Sequence, residues 1–207
     1  MIEPAHPLAE ALARELAAAA EPGRVLLVGI GSGRNVPPLA AAGAFVDVVE
    51  EDPARAVAAA TRFASTPRVR VARARYAGPY PFSFGYDGAL STHALLHGNR
   101  PSVAAALAAV RNRLRTGAPL FATLGSSADP RCGTGRRIDA GVWAAFEGSE
   151  AGVPHLYLSE PDARELLAGF EICSLLEGSA EESAGRWAHD EDEAARLVHW
   201  FVKARKL

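Results

Sequence analysis

The strongest constraint in this sequence is the stretch from Arg24 to Glu50. RVLLVG (24–29) is a continuous apolar run bounded by glycines, the pattern of a strand buried on both faces of a parallel sheet. GIGSGRNVPPLAAAG follows, a glycine-rich turn running into a short helix whose Pro37 and Pro38 are tolerable only in its first turn and whose Gly43 caps its end. AFVDVVE (44–50) then reads as a second strand ending on an acid, with Asp52 and Pro53 supplying the N-cap and first residue of the next helix. A β-α-β unit is therefore complete by Glu50, and a parallel α/β sheet is the expected architecture.

The rest of the chain extends that pattern. Leu8, Leu12 and Leu16 form the stripe of an amphipathic helix within 1–22. RVRVA (68–72), YDGALST (86–92) and PLFATLGS (119–126) read as strands three to five, and 101–114 as a helix. Residues 127–158 show no convincing periodicity and read as a long irregular segment, a candidate lid. Ser159 and Asp162 are spaced to cap a helix running to Leu167. FEICSLLE and LVHWFVKARK then read as two late strands forming an antiparallel edge. The expectation is a single domain over 1–207 with a doubly wound, mostly parallel sheet.

Composition narrows the function classes. With 22 Lys and Arg against 24 Asp and Glu, the net charge of −2 lacks the basic excess that phosphate-backbone binding requires, so nucleic acid is not the expected partner. No apolar stretch reaches the roughly 18 residues of a membrane span, and the acidic N-terminal region is unlike a signal peptide, so a cytoplasmic protein is expected. Cys132 and Cys173 lack metal-type spacing and read as reduced thiols. HDEDE (189–193) reads as a solvated turn.

Gly29, Gly31 and Gly33 free a strand-to-helix turn of side chains, letting a ligand approach the backbone and the helix N-terminus. Any tight turn can use glycines, but Glu50 closes the second strand where a carboxylate accepts hydrogen bonds from ribose hydroxyls. A nucleoside-containing ligand follows. A dinucleotide fingerprint would place a third glycine at position 34, where this chain has Arg34, and Glu50 would repel a 2′-phosphate.

VLLVGIGSGRN followed by VDVVEEDP resembles the opening motifs of class I S-adenosylmethionine-dependent methyltransferases. The resemblance continues through YDGALSTHALLH, GAPLFATLGSSADPRCGTG and GVPHLYLSEPDARELLAGFEI, which are similar to a branch related to tellurite-resistance methyltransferases, and covers about residues 23–207. It implies a seven-stranded Rossmann-like sheet with the last strand inserted antiparallel. It also implies S-adenosylmethionine as cofactor, with Gly29, Gly31 and Gly33 beneath its methionine part, Glu50 on the ribose and Glu51 beside the adenine. Ser91, Thr92 and His93 would border the transferable methyl, and Asn35 would support the turn or the substrate. Two departures stand out: the family's acid two residues before the first motif glycine is Leu27 here, and Ala72 to Arg75 contain no acid for the adenine amino group.

On the acceptor side, His93 and His97 follow the fourth strand at i and i+4, as a base, substrate ligands or structural residues; as a pair they lack a local third metal ligand, so no metal is expected. Arg131, Arg136, Arg137, Trp143, Phe146, His155 and Tyr157 populate the candidate lid, with His155 the foremost substrate contact; Trp143 and Phe146 alternatively pin a short helix. Trp187, His199 and Trp200 read as packing residues. The expected function is methyl transfer to a small-molecule acceptor. The alternatives are a cofactor-binding protein without turnover and an NAD-dependent oxidoreductase.

Overall fold

The computed structural model describes residues 4–82, 85–148, 150–179 and 197–207. Trp187 and the 189–193 acidic run lie outside them. In chain order the elements are α1 (Pro7–Ala17), β1 (Arg24–Val28), α2 (Val36–Ala41), β2 (Phe45–Glu50), α3 (Pro53–Arg62), β3 (Val69–Arg73), β4 (Gly88–Ser91), α4 (Arg100–Arg113), β5 (Pro119–Ser126), β6 (Arg136–Asp139), β7 (Val142–Ala144), β8 (Pro154–Leu158), α5 (Glu160–Leu166), β9 (Phe170–Ser179) and β10 (Val198–Lys206).

The local signals explain most boundaries. Asp52 accepts from Arg55 N at 2.7 Å at the head of α3, Asn99 accepts from Ser102 N at 3.0 Å at the head of α4, and Ser159 caps α5. His6 caps α1 through its ring: Nδ1 accepts from Leu8 N at 3.0 Å.

β1 to β5 run parallel in the order β3-β2-β1-β4-β5, and β10 then lies antiparallel between β5 and β9. This is the expected seven-strand layout. Period-two alternation along β1 feeds both layers: Val25 and Leu27 pack with Leu12, Leu39 and Phe63 from α1, α2 and the end of α3, whereas Leu26 and Val28 pack with Val103, Leu107 and Val110 of α4. Each fully buried leucine contributes on the order of 2 kcal/mol through the area it removes from water. Asp47, buried in β2, is paired with Arg70 at 2.7 and 2.6 Å and accepts from the Tyr86 hydroxyl at 3.0 Å, so this charge belongs to the framework.

Residues 127–158 differ from the sequence expectation. In place of an irregular segment, β6 and β7 pair antiparallel, β7 pairs antiparallel with β8, and β8 joins β5 parallel through Gly125 and Ser126. Trp143 lies on β7, not on a helix, and Phe146 is exposed. One edge of β5 is thus shared: β4 pairs with Leu120 to Ala122, and β8 takes over at Gly125. A Cβ on Gly125 would lie 2.3 Å from Leu156 O, so the approach of β8 requires glycine there.

Candidate functional site

The carboxyl ends of β1, β2, β4 and β5 form one rim, the place where open α/β sheets bind ligands. The glycine turn sits on it. Gly29 (φ 80°) donates its N–H to Val49 O at 2.9 Å, and a Cβ there would meet the Ala94 Cβ at 2.4 Å. Gly33 (φ 80°) is packed against Arg62 and Phe63. Gly31 (φ 51°) is different: a Cβ placed on it meets nothing within 4 Å, so its outer side is open.

Glu50 is 1 % exposed. Its Oε2 accepts from Ile30 N at 2.9 Å, tying the end of β2 to the glycine turn, and its Oε1 accepts from Asp52 N at 2.9 Å and from the Tyr76 hydroxyl at 3.0 Å. Burial first, then the charge of Glu50, holds the Tyr76 hydroxyl above the usual phenol range, so it remains a donor. A hydroxyl already rests on this carboxylate, as a ribose hydroxyl would. Tyr76 was not legible as a site residue; it reaches Glu50 because Glu51 accepts from Tyr76 N at 3.1 Å and folds the loop after β3 back. Glu51 is thereby engaged with the backbone of that loop.

The remaining predicted residues fall into separate groups. Ser91 is fully buried and donates to Val28 O at 3.0 Å, joining β4 to β1. Asn35, at the head of α2, accepts from His6 N at 3.0 Å and donates to the Thr92 hydroxyl at 2.9 Å, fastening α1 to the loop after β4. His93 (φ 62°) donates its N–H to the Thr123 hydroxyl at 2.8 Å, and its ring stands edge-on to His199 at 4.8 Å and 6.0 Å from His6. His199 faces Gly125 in the β10–β5 register, so the strand insertion carries it to the rim. Burial, then the charges of Arg34 and His199, lowers His6 to about 3. Trp200 packs as expected, its indole N–H on Leu158 O at 2.9 Å.

His155 belongs to another group. It stands on β8 with its ring 4.7 Å from that of His97 and its Nε2 3.0 Å from Glu150 Oε2. Arg131 is held on Asp129 at 3.0 and 3.2 Å, and its Nη1 lies 3.5 Å from Glu150. Burial pushes the Glu150 carboxyl up, but the hydrogen bond from His155 and the nearby imidazole of His97 outweigh it and hold the group well below the usual carboxylate range. Burial, opposed by Arg131, leaves Tyr157 pushed up to about 12. Arg136 and Arg137 lie on exposed β6, with Arg137 over the Trp143 ring at 6.0 Å.

No family model matches the sequence, and no curated protein matches it. Solved structures do match. An S-adenosylmethionine-dependent methyltransferase from Methanosarcina mazei superposes with a TM-score of 0.72 at 18% identity, over 95% of this chain and 97% of the other. The 1,6-didemethyltoxoflavin-N1-methyltransferase of Burkholderia thailandensis, solved with its substrate and S-adenosylhomocysteine, gives 0.66 at 23% identity over 96% and 78%. TehB from Haemophilus influenzae gives 0.63 at 18% over 95% of this chain and 62% of that chain. The fold is that of S-adenosylmethionine-dependent methyltransferases.

Proposed function

We propose that this single-domain protein transfers a methyl group from S-adenosylmethionine to a small-molecule acceptor. The observation that carries the reading is the pairing of an open Gly31 with the Glu50 carboxylate, which is fixed to the same turn through Ile30 N. The residues fit the cofactor: Gly31 leaves room over the backbone, and Glu50 already accepts one hydroxyl. The bound cofactor supplies an electrophilic methyl on a sulfonium. Glu50 exchanges the Tyr76 hydroxyl for a ribose hydroxyl, Gly29 and Gly33 hold the turn in its left-handed conformation, and Asn35 and Thr92 fix the loop after β4. Leu27, buried in β1, offers no contact to the cofactor's amino group, so the turn's backbone carries that end.

His93, in the loop after β4, and His155, on β8, are the acceptor-side candidates. Positioning the acceptor in line with the methyl can lower the barrier by on the order of 7–11 kcal/mol in ideal cases, and a protein base is needed only for a protonated acceptor. Net charge −2 supports a small molecule over nucleic acid as partner. Cys132 and Cys173, both free thiols, support a reducing cytoplasmic setting; among the described residues no helix is long and apolar enough to cross a membrane.

Binding without turnover is the second reading, favoured by the Tyr76 hydroxyl on Glu50 and by Leu27. The oxidoreductase reading is weaker, since Arg34 replaces the third dinucleotide glycine and is buried. Calorimetric titration with S-adenosylmethionine, S-adenosylhomocysteine and NAD separates the three. Micromolar binding of the first two alone is expected, and the Gly31→Val variant, whose side chain fills the open face, loses it. Binding of NAD in their place, or unchanged affinity in Gly31→Val, overturns the assignment; binding with no methylated product from any acceptor screened selects the second reading.

A further inference from the structure

Three side chains distant in sequence meet beside the rim: His97 from the loop after β4, Glu150 from the turn before β8, and His155 on β8. Backbone pairing places them. His97 and His155 face each other across an antiparallel bridge, flanked by Gly98 N on Pro154 O and Leu156 N on Leu96 O, each at 2.8 Å. Nε2 of His155 is 3.0 Å from Glu150 Oε2, Nε2 of His97 is 3.4 Å from Glu150 Oε1, and the three donor atoms lie within 4.8 Å of one another. The two histidine-to-Glu150 distances fall in the roughly 2.9–3.4 Å that separates two ligands of one ion with bonds of about 2.0–2.2 Å in octahedral or tetrahedral geometry.

The hydrogen bonding points the same way. His155 Nδ1 lies 2.9 Å from Val153 O, and a carbonyl only accepts, so Nδ1 carries a proton and aims Nε2 at Glu150. A histidine fixed by a backbone carbonyl on its far nitrogen is the usual support of a metal ligand. His97 Nε2 is buried, and its 3.4 Å approach to Glu150 is long for a hydrogen bond. Either protons or a cation must occupy the space between these acceptors. Arg131 does not fill that role, because its two closer contacts are with Asp129, which is 2 % exposed and takes up its charge.

We propose that His97, Glu150 and His155 bind one divalent transition-metal ion of the zinc type. Two imidazoles and one carboxylate suit zinc, cobalt or nickel rather than magnesium or calcium, and three protein ligands leave a position for water or an oxygen-bearing ligand. The ion clamps the β6–β8 arm to the loop after β4. The inference stands independently of the cofactor reading, since it uses none of the glycine-turn residues.

The test is equilibrium dialysis of the chelator-treated full-length protein against Zn²⁺ and Co²⁺, with metal counted by mass spectrometry and the cobalt form followed by its visible absorption. One equivalent of either ion, a rise in thermal midpoint and visible cobalt bands are expected. His97→Ala and Glu150→Gln each lower affinity by about tenfold or more, whereas His199→Ala, which alters the other histidine group, retains the equivalent. Glu150 lies in a turn, so Glu150→Gln keeps the test valid should His97→Ala fail to fold, as circular dichroism reports. The site is overturned by the absence of saturable binding in folded protein, by unchanged affinity in the folded variants, or by an equivalent lost only in His199→Ala.

Discussion

The two carboxylates of the rim are held in opposite ways. Glu50 is 1 % exposed and takes two of its three hydrogen bonds from backbone N–H groups, which cannot leave while the turn is folded. Glu150 has a 30 % exposed side chain and faces two imidazoles and a guanidinium, all of which can move or change protonation. The first is architecture with two side-chain partners on its open side, the Tyr76 hydroxyl and the exposed Arg55 guanidinium 3.8 Å away. The second is held by side chains alone. The molecule thus has a carboxylate set largely by the main chain and another set by side chains.

Truncating each carboxylate gives the largest expected difference. Glu50→Ala strands two backbone N–H groups and a half-buried phenol, at a cost of about 3–5 kcal/mol in urea unfolding. Glu150→Ala removes ion pairs that are partly solvated and costs under about 1 kcal/mol in metal-free protein. Equal losses would break the comparison.

Acid titration sharpens it next. His6, fully buried, accepts through Nδ1 from Leu8 N and so is neutral in the folded chain. Its folded value of about 3 lies below the unfolded 6.5, so between these the unfolded chain binds the extra proton and stability falls as pH drops. The slope is roughly 1.4 kcal/mol per pH unit, about 3 kcal/mol by pH 4.5. His6→Asn, which retains an N-cap acceptor, flattens that limb of a stability–pH curve; an unchanged slope would assign it to other groups.

The smallest effect probes the exchangeable partner. Tyr76→Phe removes the hydroxyl that competes for Glu50 and raises S-adenosylmethionine affinity by about threefold to tenfold, near 1 kcal/mol. Weaker binding would instead make the phenol part of the cofactor site.

What could be read from sequence follows the same divide. β1, the glycine turn, β2 and the Asp52 cap depend on neighbours a few residues away, so apolar runs and capping residues announced them. The arm did not announce itself: β6 has four exposed residues, β7 has three residues in all, and neither offers a period to detect. Glu50 was legible because it ends a strand at a set distance from the glycines. Tyr76, His199 and the meeting of His97 with Glu150 and His155 depend on tertiary placement, and nothing local in the chain marks them.

The shared edge of β5 carries a consequence for how such a protein diversifies. Because β8 pairs with β5 only where β4 has ended, the arm joins the sheet through two residues of β5, with Gly125 as its seat, and is held further by the loop after β4. The exposed residues of β6 lie outside that joint, so changes there leave the register of β1 to β5 in place. Variation in the exposed part of the arm is therefore open to this fold while the glycine turn and Glu50 stay unchanged.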